Sequence, residues 1–397
     1  MLLSFDADNP IQGRRVVVTG LGAVTCAGSG TDDLWSELLK GEAPLSRRVP
    51  TYDASHLGNP KELRRLDPFA LYGLTAAHAA WQHAGLPDTW SDGAVIIATG
   101  IGGLQTLTEQ LAVLNERGSQ RVSPFMIPMM MPNAAAAAVS MKFGLTGPCE
   151  TVTTACAAGT HAIGSAARLV ASGRVPIAVA GGAEAVMTPI AEAGFANMTA
   201  LSSSGISRPF DAQRDGFVMG EGAGVLILEE REHALSRGAT ILAEIYGAAS
   251  TADAHHLTAP NPDGGGAIAC IRAALHDAQL GAGAISHVNA HGTSTPLNDA
   301  AEARALRAVF GDNCPPVTSV KGYTGHALAA AGAIEAVVSV LTLVHQMVPP
   351  TVGTETIDTE VNLPVVTRTG QSQAVNFVLS NSFGFGGHNG CLIFGRA

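Results

Sequence analysis

Thr151–Val170 reads TVTTACAAGTHAIGSAARLV, a strand-like TVTT running into a helix of alanine and glycine with Cys156 at its start. The design recurs later in the chain, where His326 precedes a second Ala/Gly-rich helix, Ala327–Leu343. Helices of such small residues can lie close to sheets or to one another, and they are expected to be buried. The echo predicts a duplicated architecture. Working outward, short apolar runs read as strands: Arg15–Thr19, Ala94–Thr99, Ile177–Ala180 and Gly224–Leu228, then Ile241–Tyr246, His287–Ala290, Val317–Ser319, Ala374–Leu379 and Gly390–Phe394. Between them lie helical segments at Thr31–Leu39, Asp67–His83, Ala157–Ser172, Gly264–Ala278, Asp299–Val309 and Ala327–Leu343. Such alternation is the pattern of layered α/β proteins. The charged stretch Glu230–Gly238 marks the division, giving halves 1–238 and 239–397 with no low-complexity linker.

Composition narrows the function classes. Hydrophobic residues are 46% of the 397, charged residues only 14%, and the 46 glycines show no period of three, which excludes disordered, coiled-coil and collagen-like chains. With 23 Lys+Arg against 33 Asp+Glu the net charge is −10, so neither nucleic acid nor an anionic membrane is an expected partner. The start, Met1–Arg15, lacks the layout of a secretory signal, and the richest apolar stretch, Pro124–Val139, is broken by Pro128, Pro132 and Asn133. A cytoplasmic enzyme is expected. Its six cysteines have no paired close spacing, so neither a zinc site nor a disulfide framework is suggested.

Four segments carry residues able to do chemistry. A thiol at a helix start, as at Cys156, meets free backbone N–H groups and the positive dipole end, which favour the thiolate; the bland alternative is an inert buried cysteine. In NAHGTSTPLND, Asn289–Asp299, a strand delivers His291 into a turn of small hydroxyl residues, and a loop-capping histidine is the alternative. His287 stands four residues before His291, but no further ligand spacing makes them a metal pair. SVKGYTGHALAAAGAIEAV places Lys321 and His326 in a glycine-containing loop and Glu335 in the next helix; Lys321 could hold His326 or a nearby carboxylate, or be merely solvated. In NSFGFGGHNGCLIF, Gly384, Gly386 and Gly387 flank Phe385, where a backbone N–H could meet a developing oxyanion, unless the segment is a simple strand turn. VVVTGLGAVT, 16–25, suggests a nucleotide loop, yet Thr25 stands where the third glycine belongs and no acidic ribose partner follows.

Taken in order, Cys156, HGTST at 291–295, KGYTGH at 321–326 and NSFGFGG at 381–387 resemble the elongating β-ketoacyl-[acyl carrier protein] synthases, and the similarity spans the chain, including AGGAE at 180–184, SRPFDAQRDGFVMGEGAG at 207–224 and LIFG at 392–395. The resemblance implies the α/β thiolase-like fold: two βαβαβαββ halves in a five-layer α-β-α-β-α sandwich, acting as a homodimer or as a heterodimer with a chain-length factor. It further implies decarboxylative Claisen condensation in fatty acid or polyketide synthesis. Cys156 would accept the acyl group, the N–H groups of Cys156 and Phe385 would form the oxyanion hole, His291 and His326 would donate to the enolate, and Lys321 and Glu335 would organise the histidines. No metal or redox cofactor is implied; the phosphopantetheine arm comes with the acyl carrier protein and would run past Thr293 and Thr295. Lys61, Arg64, Arg65, Arg121 and Arg208 occupy the segments expected to dock that acidic carrier. Met129, Met130 and Met131, with Phe125, line the acyl tunnel or the dimer contact, or are plain core. Two histidines distinguish this chain from degradative thiolases, which use a second cysteine before the glycine loop, whereas Cys391 falls after it. Gly322, Tyr323 and His388 depart from the residues common in fatty-acid enzymes and leave room for a specialised polyketide or polyene system. The contrasting class is a noncatalytic chain-length scaffold, against which Cys156 argues.

Overall fold

The nine residues of β1 (Val16–Val24) are buried along their whole length, so this strand must be covered on both faces. The computed structural model describes residues 13–397, and the Met1–Arg15 reading therefore lies largely outside the described residues. After β1 come α1 (Thr31–Lys40), α2 (Pro60–Leu63), α3 (Pro68–His83), β2 (Gly93–Ala98), α4 (Leu104–Arg117), α5 (Met126–Met130), α6 (Ala134–Phe143) and β3 (Cys149–Glu150). They are followed by α7 (Ala158–Ala171), β4 (Ile177–Glu184), α8 (Pro189–Asn197), β5 (Gly222–Glu230) and α9 (Arg231–Ser236). The later part holds β6 (Ala243–Ala252), α10 (Gly265–Asp277), β7 (His287–Asn289), α11 (Pro296–Phe310), β8 (Val317–Thr318), α12 (Lys321–Thr324) and α13 (Ala329–His345). A two-stranded ribbon of β9 (Met347–Val348) and β10 (Gln371–Ser372) precedes β11 (Phe377–Gly384) and β12 (His388–Gly395).

Strand order shows the duplication. One set runs β3-β2-β4-β5-β1 and the other, from its outer edge, β8-β7-β11-β12-β6, so both follow the sequence third-second-fourth-fifth-first. Pairing senses match as well: the outer three strands are parallel, and the remaining neighbours are antiparallel. Three residue pairs, Val16–Val18 with Ala243–Ile245, join the sets. Between the two sheets lie α7 and α13, in one apolar cluster with β1, β2, β4, β5, β11 and β12. On the outer faces α3 and α6 cover the first sheet, and α10 and α11 the second. The molecule is thus the five-layer sandwich that the resemblance implies.

Small residues make this spacing possible. A Cβ on Gly20 or Gly22 would stand 2.1 and 1.9 Å from the carbonyls of Ala80 and Ala76. The glycines of VVVTGLGAVT therefore let α3 lie on β1; they cradle no phosphate. At the centre, the Cα of Gly182 faces Gly159, and both abut the Ala329 carbonyl, where a Cβ would come within 2.7 Å. That contact sets α7 against α13.

Three departures from the sequence reading have local causes. TVTT is not a strand: pairing stops at Glu150, and Ala155 takes φ of 49°, which turns the chain into a single 3-10 turn, Ala155–Ala157, ahead of α7. α11 begins at Pro296, not Asp299, because the Thr295 side chain accepts the Asn298 N–H and Pro296 suits a first helical position. α4, α6 and α8 are not marked by the sequence reading: α6 is half alanine and α8 has no buried residue, so neither shows a strong apolar stripe, whereas α4 carries Leu104, Leu107, Leu111 and Leu114 on one face but leaves the last two exposed.

Candidate active site

Each half presents its reactive residue ahead of its central helix. Cys156 sits in the turn before α7, and His326 sits in the turn before α13. His326 is pinned by two backbone bonds, its N–H to the Val218 carbonyl at 2.7 Å and its carbonyl from the Gly220 N–H at 3.0 Å, so the FVMG segment serves as its splint. Its Nε2 lies 3.0 Å from the Cys156 sulfur. The His291 ring stands edge-on to that of His326, centroids 5.4 Å apart, and Cys156, His291 and His326 each bring an Sγ or ring nitrogen within 4.8 Å of the others. All three are buried.

Lys321 is fully enclosed, and its ammonium donates to the His291 carbonyl at 2.6 Å while forming an ion pair with Glu335. It thus fixes the backbone of His291; of the two sequence alternatives, the carboxylate is the partner and the His326 ring is not. The glycine loop arrives from β11. A Cβ on Gly384 would stand 3.0 Å from the Cys156 nitrogen, so the glycine loop lies against the Cys156 turn, and the nearby backbone N–H groups of Phe385 and Cys156 favour the charged form of the sulfur.

Electrostatics correct one expectation. Burial pushes the Cys156 thiol up to about 11 and outweighs the pull of Lys321 and of the two N–H donors, so the resting group is a thiol. Burial also holds His326 and His291 well below the ordinary histidine range, reinforced by the Lys321 charge and, for His291, by His326. A thiol beside a neutral imidazole can donate S–H to Nε2, and the imidazole can take that proton as the sulfur attacks. The helix start alone does not ionise the cysteine; the histidine is needed.

The triad opens on a cavity of about 370 Å³ lined by Phe385, Thr293 and Thr295 among others. Thr293 and Thr295 share a hydroxyl bond of 2.9 Å. Around the sulfur lie Val186, Phe217, Met219 and Leu328, with Phe195 and Leu104 beyond, an apolar wall suited to a hydrocarbon chain.

Elsewhere the sequence expectations fare unevenly. Lys61, Arg64, Arg65 and Arg121 are exposed, and Arg65 lies 4.0 Å over the Phe125 ring, which brings the end of α2 to the 119–125 segment. Arg208 is held apart, half-buried, by Gln213 and Ser204, with its own N–H on Ser294 beside the threonines. The methionine segment is not core: α5 has no buried residue, and Phe125, Ile127 and Met131 are exposed, outside the cavity lining. His287 bonds Thr318 at 2.8 Å and is held to about 3 by burial, a tie between β7 and β8. Gly322 is required by the Val352 carbonyl, which a Cβ would meet at 2.0 Å, and Tyr323 packs in the central core.

Sequence reasoning missed Glu302. Its carboxylate accepts the N–H groups of His291 at 2.8 Å and Gly292 at 2.7 Å, and burial pushes it up to about 7. The available signal was an acidic residue on the apolar face of the Ala-rich α11.

Comparison with known proteins agrees with this geometry. Residues 48–234 match the family described as Beta-ketoacyl synthase, N-terminal domain, and residues 242–355 its C-terminal domain. The chain is 44% identical to 3-oxoacyl-[acyl-carrier-protein] synthase 2 of Synechocystis, over 97% of this chain and 98% of that one. It is 42% identical to the enzyme of the same name from Rhizobium meliloti, over 96% and 99%. Among solved structures, the ishigamide ketosynthase/chain length factor superposes with a TM-score of 0.92 at 32% identity, over 97% of this chain and all of that chain. A type II polyketide ketosynthase in complex with its acyl-carrier protein gives 0.90 at 33% identity, with the same coverage. With its cysteine, two histidines and glycine loop converging at one cavity, the chain belongs to the β-ketoacyl synthase family.

Proposed function

We propose that this chain is a 3-oxoacyl-[acyl carrier protein] synthase that condenses a Cys156-bound acyl chain with a malonyl group in fatty acid synthesis. The observation that carries the reading is the 3.0 Å approach of His326 Nε2 to the Cys156 sulfur, with His291 alongside and the glycine loop packed against the Cys156 turn. In the first step the thiol proton moves to His326, the sulfur attacks the acyl thioester of the carrier, and the carrier's thiolate leaves with that proton. The oxyanion formed meanwhile receives the N–H groups of Cys156 and Phe385. Malonyl thioester then loses CO2, and the enolate oxygen is met by neutral His291 and His326, each carrying one N–H; in His326 that proton must first shift from Nδ1 to Nε2, the nitrogen that took up the thiol proton in the first step. Carbon–carbon bond formation expels the Cys156 thiolate, which regains a proton from solvent.

Lys321 and Glu335 act through the position of His291, and Thr293 and Thr295 border the path of the phosphopantetheine arm. The exposed group of Lys61, Arg64, Arg65 and Arg121 offers the positive surface for an acidic carrier, with Arg208 nearer the threonines. The apolar face of Phe125, Ile127 and Met131 suits a dimer contact, with a second copy or with a chain-length factor. We take 1–238 and 239–397 as the two halves and the cytoplasm as the compartment; among the described residues no helix is long and apolar enough to cross a membrane. The mechanism uses no resident metal or redox cofactor. Replacement of Cys156 by glutamine tests the assignment: malonyl-carrier decarboxylation is kept or raised and condensation is abolished, whereas retained condensation refutes the nucleophile.

A further inference from the structure

Glu184 ends β4 in the centre of the molecule with a fully buried carboxylate. Among the described residues no cation forms an ion pair with it. An uncompensated buried charge is costly, and it persists only where hydrogen bonds replace its water. Four donors do so here. One oxygen accepts the Gly100 N–H at 2.7 Å and the Ala329 N–H at 3.3 Å; the other accepts the Thr99 hydroxyl at 3.0 Å and the Ile101 N–H at 3.4 Å. Thr99 passes the link on by accepting the Gly102 N–H at 3.2 Å. Gly100 is held so closely that a Cβ there would stand 2.7 Å from the carboxylate.

These donors come from two places that must agree for the site to work. Residues 99–102 lead into α4, whose Leu104 packs on the apolar wall around Cys156. Ala329 is the first residue of α13, three positions after His326 and next to Leu328, which takes φ of 45° and packs on the same wall. We propose that Glu184 is a positioning residue of the condensation site: by gripping the 99–102 loop and the start of α13 with one carboxylate, it fixes His326 and the acyl wall relative to Cys156. Its charge acts too, since it opposes ionisation of Cys156. The titratable groups facing this region are Cys156 on the sulfur side, His326 ahead of α13, and Asp67, whose buried carboxylate accepts the Thr106 N–H and hydroxyl at the start of α4, with His291 and the Lys321–Glu335 pair beyond; the 99–102 loop carries none.

The rate effect rests on the ketosynthase reading, so the test pairs condensation with iodoacetamide labelling of Cys156, which needs no substrate. In Glu184→Gln the near-UV circular dichroism is unchanged, kcat for condensation falls roughly 10-fold to 100-fold with the carrier KM unchanged, and the log-rate curve for labelling moves to lower pH. Glu184→Asp keeps the charge but is one methylene short, so it loses rate while its labelling curve stays in place. Thr99→Val removes one of the four donors and lowers kcat a few-fold. Wild-type kcat in folded Glu184→Gln, or a lost rate with an unmoved labelling curve, overturns the proposal. Should Glu184→Gln fail to fold, wild-type kcat in Thr99→Val overturns it instead. A wild-type protein that labels as described but never condenses sinks the ketosynthase reading and leaves the positioning role standing.

Discussion

Gly384→Ala is the most local probe of the oxyanion hole. The residue has φ of −117° and ψ of 160°, extended values open to any amino acid, so alanine adds no backbone strain. What it adds is a methyl group 3.0 Å from the Cys156 nitrogen and 3.2 Å from both the Ala157 nitrogen and the Thr154 carbonyl. Ordinary carbon contacts lie at about 3.5 to 4.0 Å, so the loop bearing Phe385 must retreat from the turn bearing Cys156 by several tenths of an ångström. Complete loss of one hole donor costs about 10²-fold to 10³-fold in rate, and a shift of about 1 Å can cost 10²-fold. The displacement here therefore predicts a fall in condensation kcat of about 10-fold to 100-fold, equivalent to roughly 1.4 to 2.7 kcal/mol. Steady-state condensation of acyl- and malonyl-carrier protein measures it, with iodoacetamide labelling of Cys156 as a control that does not use the hole and should stay within a few-fold of wild type. A wild-type kcat in the folded variant would refute the idea that this close approach places the two N–H groups.

Three further outcomes follow from the same geometry. Lys321→Met strands the buried Glu335 carboxylate and should cost about 3 to 5 kcal/mol in denaturant unfolding; adding Glu335→Leu recovers most of that stability but not the rate, because the His291 carbonyl stays unanchored, and recovered activity would contradict the anchoring role. Since His291 and His326 lie well below the ordinary histidine range, both are already neutral in the free enzyme, and kcat/KM should show no limb near pH 6.5, the usual histidine value; such a limb would show that at least one of the rings charges. Charge reversal of Arg64 and Arg65 to glutamate should weaken carrier-protein binding in a salt-sensitive way, measured by titration at low and high ionic strength, and unchanged affinity counts against that surface.

Much of the fold was legible because its decisive elements carry their own period. The Ala/Gly-rich runs after Cys156 and His326 announce central helices, and both occupy the middle layer, α13 with Ala329–Leu343 buried without interruption. Cys156, His291 and His326 were legible as residue types, and their convergence became so through the order of four motifs. What the sequence hid depends on distant backbone. TVTT has strand composition, but its pairing ends with β3, and only the positive φ at Ala155 shows why. Glu302 and Glu184 look like ordinary acids until the fold aims N–H groups at them from remote loops. The methionines around α5 leave tunnel, dimer contact and core all open by composition, and the fold settles only that they are not core: Ile127 and Met131 stay exposed, and Phe125 is capped on one side by Arg65.

The misjudged state of the cysteine carries a mechanistic consequence. A dipole at a helix start is worth about 0.3 to 1 kcal/mol at exposed sites, whereas withdrawal from water penalises the charged form of a buried group far more. In this site every titrating group resolves that contest the same way. Cys156 is held as a thiol, both imidazoles are neutral, and the one lysine is matched by Glu335. The resting cavity thus holds no uncompensated charge beside the sulfur except Glu184, itself pushed up to about 7 by burial. Negative charge arises only during reaction, first on the thioester oxygen and then on the enolate. It arises where N–H donors already point and where little water competes for them, which is where a fixed dipole contributes most to rate.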